Sequence, residues 1–215
     1  MPSIEQARAW YADADPVHDF NHILRVLALA ERLARAMGAD LEIVRAAVLL
    51  HDAHGAAPGT GTGGEAGRAA HHLESAEFAG AVLRGEGWPA ERIEAVQHCI
   101  RAHRFRGTAA PRSLEAQILF DSDKLDVLGA IGAARALAYA ALAGQPLTGE
   151  PSASFRATGQ KEPGEPHTPY HEFLFKLSKI KGRLHTPAAR ALAEERHRYL
   201  AEFFDRLALE VRGEA

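Results

Sequence analysis

Apolar residues recur at three- and four-residue steps along most of this chain, as one face of an α-helix requires. Val26, Leu29 and Leu33 mark a first stripe, and Val44, Val48 and His51 a second. The first pattern fades at "MGAD", where Gly38 predicts a C-terminal stop. Further helices are predicted over about 74–84, 90–103, 113–125, 130–142, 170–180 and 187–211. No stretch reads convincingly as a strand. Two segments break the periodicity, "GAAPGTGTGGEAG" (55–67) and "AGQPLTGEPSASFRATGQKEPGEPHTP" (143–169), and their Gly, Pro, Ser and Thr content predicts long surface loops. Neither joins halves of different composition, and no internal repeat is present. The pattern therefore predicts one all-α domain over residues 1–215, with its core motifs at about 18–142 and C-terminal helices, about 168–211, packed on them.

Composition sets limits. A chain of 215 residues with 47% hydrophobic and 25% charged residues can bury a substantial core and has the balance of an ordinary soluble protein. A net charge of −3 and a pI near 6.5 argue against a nucleic-acid partner and leave "RAHRFRG" as a local basic patch. Cys99 is the one cysteine, so no internal disulfide is possible, which suits a cytoplasmic location. The chain start lacks a signal pattern and no apolar run approaches the roughly 18 residues of a span, so no membrane partner is expected.

The polar residues on the apolar faces carry the chemistry. There are 12 histidines, concentrated where the helices are most apolar. His22 precedes the first stripe, His51 and Asp52 close the second, and Asp123 sits in "LFDSDKLDVLGAIGAAR". Burying a carboxylate costs several kcal/mol unless it is paired or bound to a cation. A shared divalent metal offsets all four costs together. Two imidazoles and two carboxylates suit Mn, Fe, Co, Ni or Zn more than Ca, and leave positions for water and substrate.

These residues carry a resemblance. His22, His51-Asp52 and Asp123, together with "HDFNHILRV", "LLHD", "AVQHCIRAH", "DSDKLDVLGAIGAAR" and the tail from "HEFLFKL" onward, resemble the HD superfamily of metal-dependent phosphohydrolases, in its bacterial YpgQ- and YedJ-like branch. The resemblance implies an all-helical HD-domain bundle, one divalent metal on His22, His51, Asp52 and Asp123, with Mn the first expectation and Mg among the alternatives, and hydrolysis of a phosphate ester or anhydride. In that branch the implied activity is pyrophosphohydrolysis of deoxynucleoside triphosphates by metal-activated water. The branch commonly reads "DADRL" where this chain has Asp121-Ser122-Asp123-Lys124-Leu125, which leaves Asp121 as a supporting or capping residue. A glutamate that nucleotidases of another HD branch carry three residues after the aspartate is Gly55 here, so a mechanism resting on that acid does not transfer.

Positive charge and proton transfer are the remaining needs of phosphoryl transfer. Lys124, Arg135 and Lys176 are candidate phosphate contacts, each against the alternative of a surface or ion-paired cation. His103 falls on the stripe of Val96 and Ile100, whereas His98 lies off it. That makes His103 the better candidate for a proton donor or phosphate contact, the alternative being a core histidine. With Asp52 and Lys124, His103 completes the expected catalytic set. "HHLESA" (71–76) offers His71 or His72, with His98 or His103, for a second metal, which is not expected; otherwise it is a polar helix start. Asp19 is read as a helix cap, His18 as solvated, His54 as a loop residue and His171 as a possible pocket residue. Gly59-x-Gly61-x-x-Gly64 matches a dinucleotide fingerprint as a string but follows a helix, so a lid is the better reading.

The expected partner is a small phosphate-bearing molecule, a nucleotide first, and the C-terminal helix with Leu200, Phe203, Phe204 and Leu207 leaves monomer and homodimer open. The alternatives to a triphosphate pyrophosphohydrolase are an HD-type phosphomonoesterase or nucleotidase, and a non-catalytic nucleotide or metal sensor. A purely structural helical module would not need four ligand-type residues at this spacing.

Overall fold

The computed structural model describes residues 1–11, 19–53, 65–105 and 107–215, with the backbone alone used for 65–70. His18, His54 and the Gly59-x-Gly61-x-x-Gly64 string lie outside the described residues. Among those described, all regular elements are helical, and no single helix is long and apolar enough to cross a membrane. The chain divides into two units, Met1–Asp123 and Lys124–Ala215.

In the first unit α3 (Leu41–Leu50) packs against α2 (Phe20–Met37), α4 (Glu65–Gly85), α5 (Ala90–Ala102) and the short α1 (Ile4–Ala9). Its central place follows from its sequence, since Val44, Ala46, Ala47, Val48, Leu49 and Leu50 are all buried. α2 starts at Asp19, whose carboxylate accepts the His22 N–H, and stops at Gly38 in the left-handed conformation with φ 71°, which a glycine adopts without steric cost. α3 starts at Asp40, whose side chain accepts the N–H groups of Glu42 and Ile43 and is gripped by Arg92 of α5 at 2.9 and 3.2 Å. The Asp40 N–H donates to Glu115 of α6 (Leu114–Leu125) at 3.0 Å. This cap therefore aligns three helices. Asp40→Ala is expected to lower stability by about 1–2 kcal/mol, roughly 2–8 °C in Tm. Glu42→Ala, which removes an exposed partner of the same arginine, is expected to cost about 0.5 kcal/mol or less. Thermal melts of the two variants check the difference.

The second unit holds α7 (Gly129–Leu142), α8 (Ala153–Thr158), α9 (Pro169–Phe175), a 3₁₀ helix (Leu177–Arg183) and α10 (Pro187–Val211). α10 packs on α7 and on the 3₁₀ helix. Leu200 and Phe204 are fully buried, and Phe204 stacks on Phe173 at 5.0 Å and on Tyr170 at 5.7 Å.

Four element boundaries differ from the periodicity. The helix predicted over 170–180 breaks at Lys176 (φ −128°, ψ −55°) into α9 and the 3₁₀ helix. α4 begins at Glu65, inside the expected first loop. α1 and α8 have no counterpart among the predicted helices, and α8 lies inside the expected second loop. That segment is tied together by Glu165, whose carboxylate accepts the Ser152 N–H at 2.7 Å and hydroxyl at 2.9 Å and the Glu162 N–H at 2.7 Å. His171, a candidate pocket residue, is buried here, with Nε2 2.9 Å from Glu165 and Nδ1 2.7 Å from the Thr168 hydroxyl.

Candidate metal centre

The first unit brings His22, His51 and Asp123 into one group, from the first turn of α2, the C-terminal end of α3 and the last turns of α6, and Asp52 into a second group that shares His51. His22 and His51 are buried, Asp123 is 8% exposed, and Asp52 is half-buried. One ligand atom each from His22, His51 and Asp123 lies within 4.8 Å of the others, and so do those of His51, Asp52 and His103. His22 Nε2 stands 3.4 Å from Asp123 Oδ1, and His51 Nε2 stands 3.4 Å from Asp52 Oδ2.

The residues fit a divalent ion on three counts. His51 Nε2 is buried and makes no hydrogen bond, which leaves a costly lone pair facing the Asp52 carboxylate, whose own buried Oδ1 has only the 3.4 Å approaches of two imidazoles. Two ligands each about 2.1 Å from a common ion stand about 3.4 Å apart at the tetrahedral angle, the spacing found here. The third count is tautomer control. His51 Nδ1 lies 2.8 Å from the Val48 carbonyl, and a carbonyl only accepts, so Nδ1 carries the hydrogen and Nε2 presents its lone pair.

Electrostatics agree with that assignment. Burial, reinforced by the rings of His103 and His22, pushes His51 down to about 4 against the pull of Asp52 and Asp123, so the ring is neutral at pH 7. Burial works to raise Asp52, but His51 and the contacts of His103 and His71 outweigh it and hold the carboxyl well below the ordinary range. A neutral imidazole beside an ionised carboxylate is the protonation state that metal binding requires.

The His51 shift has a consequence for the metal-free chain. An unfolded imidazole takes its proton near 6.5 and the folded one near 4, so between those values the unfolded state binds more protons. The stability contributed above pH 6.5 is lost as the pH falls toward 4, by about 3 kcal/mol from this residue. Urea denaturation with a chelator at pH 7 and pH 4.5 checks the slope, which His51→Gln is expected to flatten.

Asp52 has a second face. Its Oδ1 lies 3.4 Å from both His71 Nε2 of α4 and His103 Nε2 at the end of α5. His103 Nδ1 is 2.6 Å from the Ile100 carbonyl, which directs Nε2 toward Asp52. Of the adjacent pair in "HHLESA", His71 faces the carboxylate, while His72 is buried beside it with Nδ1 unbonded. His98 instead accepts the Arg112 N–H at 3.1 Å, outside the cluster. Sequence left open which of His71 and His72 turns inward, which the phase of α4 decides, and favoured His103 over His98 from the apolar stripe of α5.

The predicted phosphate contacts fall in the second unit. Lys124 follows Asp123 in α6 and is half-buried. Arg135 of α7 pairs with Asp126, both largely buried, and Lys176 Nζ lies 2.9 Å from Glu172. Asp121 and Ser122 are fully buried in α6 beside Asp123.

Comparison with known proteins gives one consistent answer. The HD domain family profile matches residues 19–128, a span that holds every member of the His/Asp cluster. YpgQ of Bacillus subtilis is 32% identical over 99% of this chain and 96% of its own length. The crystal structure of B. subtilis YpgQ in complex with ADP matches with a TM-score of 0.73 at 28% identity, covering 99% of this chain and all of that one. An HD-superfamily hydrolase from Bacillus thuringiensis matches with a TM-score of 0.67 at 27% identity, covering 97% and 94%. With the family profile spanning the cluster and a relative aligned end to end, the chain belongs to the HD domain family.

Proposed function

We propose that this chain is a metal-dependent phosphohydrolase acting on a nucleotide, with cleavage of a (deoxy)nucleoside triphosphate to monophosphate and pyrophosphate as its reaction. The observation that carries the reading is His51 Nε2, buried without a hydrogen bond 3.4 Å from Asp52, inside a cluster of neutral imidazole and ionised carboxylate. The ADP seen with YpgQ supports a nucleotide as the ligand class.

His22, His51, Asp52 and Asp123 would hold one divalent ion, Mn first among the candidates. When bound, such an ion lowers the pKa of water from about 15.7 toward about 7 and neutralises charge on a phosphoryl oxygen. His103, locked through Nδ1 on a carbonyl, has one nitrogen left with which to hold or deliver a proton, and that nitrogen faces Asp52. Lys124 is proposed as a phosphate contact. Arg135, paired with Asp126, and Lys176, whose ammonium has three donors and meets Glu172 with one of them, are proposed as further phosphate contacts.

A panel of deoxynucleotides, ribonucleotides and generic phosphoesters, each with Mn, Co, Ni, Mg and Zn, tests this. Pyrophosphate release from triphosphates at one metal per chain is expected. Orthophosphate release from monophosphates would make the protein a phosphomonoesterase, and stoichiometric metal binding without turnover would make it a sensor. Two metals per chain would assign His71 and His103 to a second ion.

A further inference from the structure

Ending α3 at Leu50 puts two metal-facing residues in the turn that follows, where a helix leaves its last carbonyls without intrahelical partners. Three of these carbonyls have identifiable uses. Val48 receives His51 Nδ1 at 2.8 Å, and Leu50 accepts the Ala53 N–H at 3.3 Å. Leu49 accepts the hydroxyl of Tyr11 at 3.1 Å, a bond spanning 38 residues. Leu49 lies two residues before His51 and three before Asp52, so this one bond holds the turn from which both residues project.

Tyr11 is itself fixed. It is 4% exposed, and its ring lies 5.6 Å from that of Phe20, the first residue of α2 and two before His22. Its neighbour Trp10 stands edge-on to Phe78 of α4 at 5.3 Å. The capping box of Ser3 and Gln6 starts the helix that delivers both rings. No periodicity or motif in the sequence marks this residue.

We propose that Tyr11 is a positioning residue for the His51–Asp52 pair, its hydroxyl holding the Leu49 carbonyl and with it the last turn of α3, from which both metal-facing side chains project. The inference rests on the metal-centre reading above. Partners of this kind, which orient ligands without touching the ion, typically change metal affinity by 10–100-fold.

The test is Mn²⁺ titration calorimetry on the full chain after chelator treatment. Tyr11→Phe is expected to weaken Mn²⁺ affinity about tenfold or more at unchanged stoichiometry. Trp10→Phe, which loosens the same helix without touching Leu49 or Asp52, is expected to stay within about twofold of wild type. Equal affinity of Tyr11→Phe and wild type overturns the inference, and so does equal weakening by both variants, which would assign the effect to docking of α1. A wild-type chain that takes up no Mn²⁺ overturns the metal reading and this inference with it. Should Tyr11→Phe fail to fold, the Tyr11 hydroxyl proton of the wild-type, metal-free chain decides: a slowly exchanging, resolved resonance is expected from its bond to the Leu49 carbonyl, and exchange at the solvent rate overturns the proposal.

Discussion

Asp52→Ala is expected to lower kcat/KM by about 10³-fold or more, equivalent to roughly 4 kcal/mol of transition-state stabilisation. The size follows from the two faces of this carboxylate. Oδ2 stands beside His51 and Oδ1 stands between His71 and His103, so one truncation removes a metal-facing oxygen and the anchor of two imidazoles. Loss of activity alone would not distinguish a broken site from a broken fold, and metal-linked stability does. Mn²⁺ at 100 times its Kd is expected to stabilise the wild type by about 2.7 kcal/mol, roughly 5–11 °C in Tm. Asp52→Ala is expected to lose that increment, read as the difference between its own metal-loaded and metal-free Tm. Activity unchanged by the substitution would sink the assignment of the centre.

The centre was legible because its residues contradict their surroundings. Imidazole and carboxylate groups at the ends of α2, α3 and α6 interrupt faces that are otherwise apolar, and such a contrast needs a shared partner to be stable. Gly38 was legible for a local reason, since a left-handed residue is what stops α2. The parts that were not legible are those that a 3.6-residue period does not report. α1 and α8 are six residues each, too short to display a 3.6-residue period, and depend on caps at Ser3 and Ser152. The break at Lys176 was hidden because the apolar positions Tyr170, Phe173, Leu177 and Ile180 satisfy an α-helical and a 3₁₀ spacing about equally. His71 needed the phase of α4, and Tyr11 needed a hydrogen bond across 38 residues. Periodicity reports which face is buried; it does not report what that face meets.

Arg135→Met is expected to destabilise the chain by about 3 kcal/mol, the lower end for breaking a buried ion pair, with a fall in Tm of about 6–12 °C. The cause is Asp126, 4% exposed, which loses the guanidinium that faces it. Replacing both partners, Arg135→Met with Asp126→Leu, is expected to recover most of that loss, because a well-packed apolar pair often substitutes for a buried ionic one at little cost. The double variant then separates two roles that the single variant confounds. If Arg135 also grips phosphate, stability returns in the double variant while kcat/KM stays at least about tenfold down, mainly through KM. Recovery of both would confine Arg135 to holding α7 against the chain segment of Asp126. Lys124→Met in the same assay tests the other proposed phosphate contact, whose loss is expected mainly in KM.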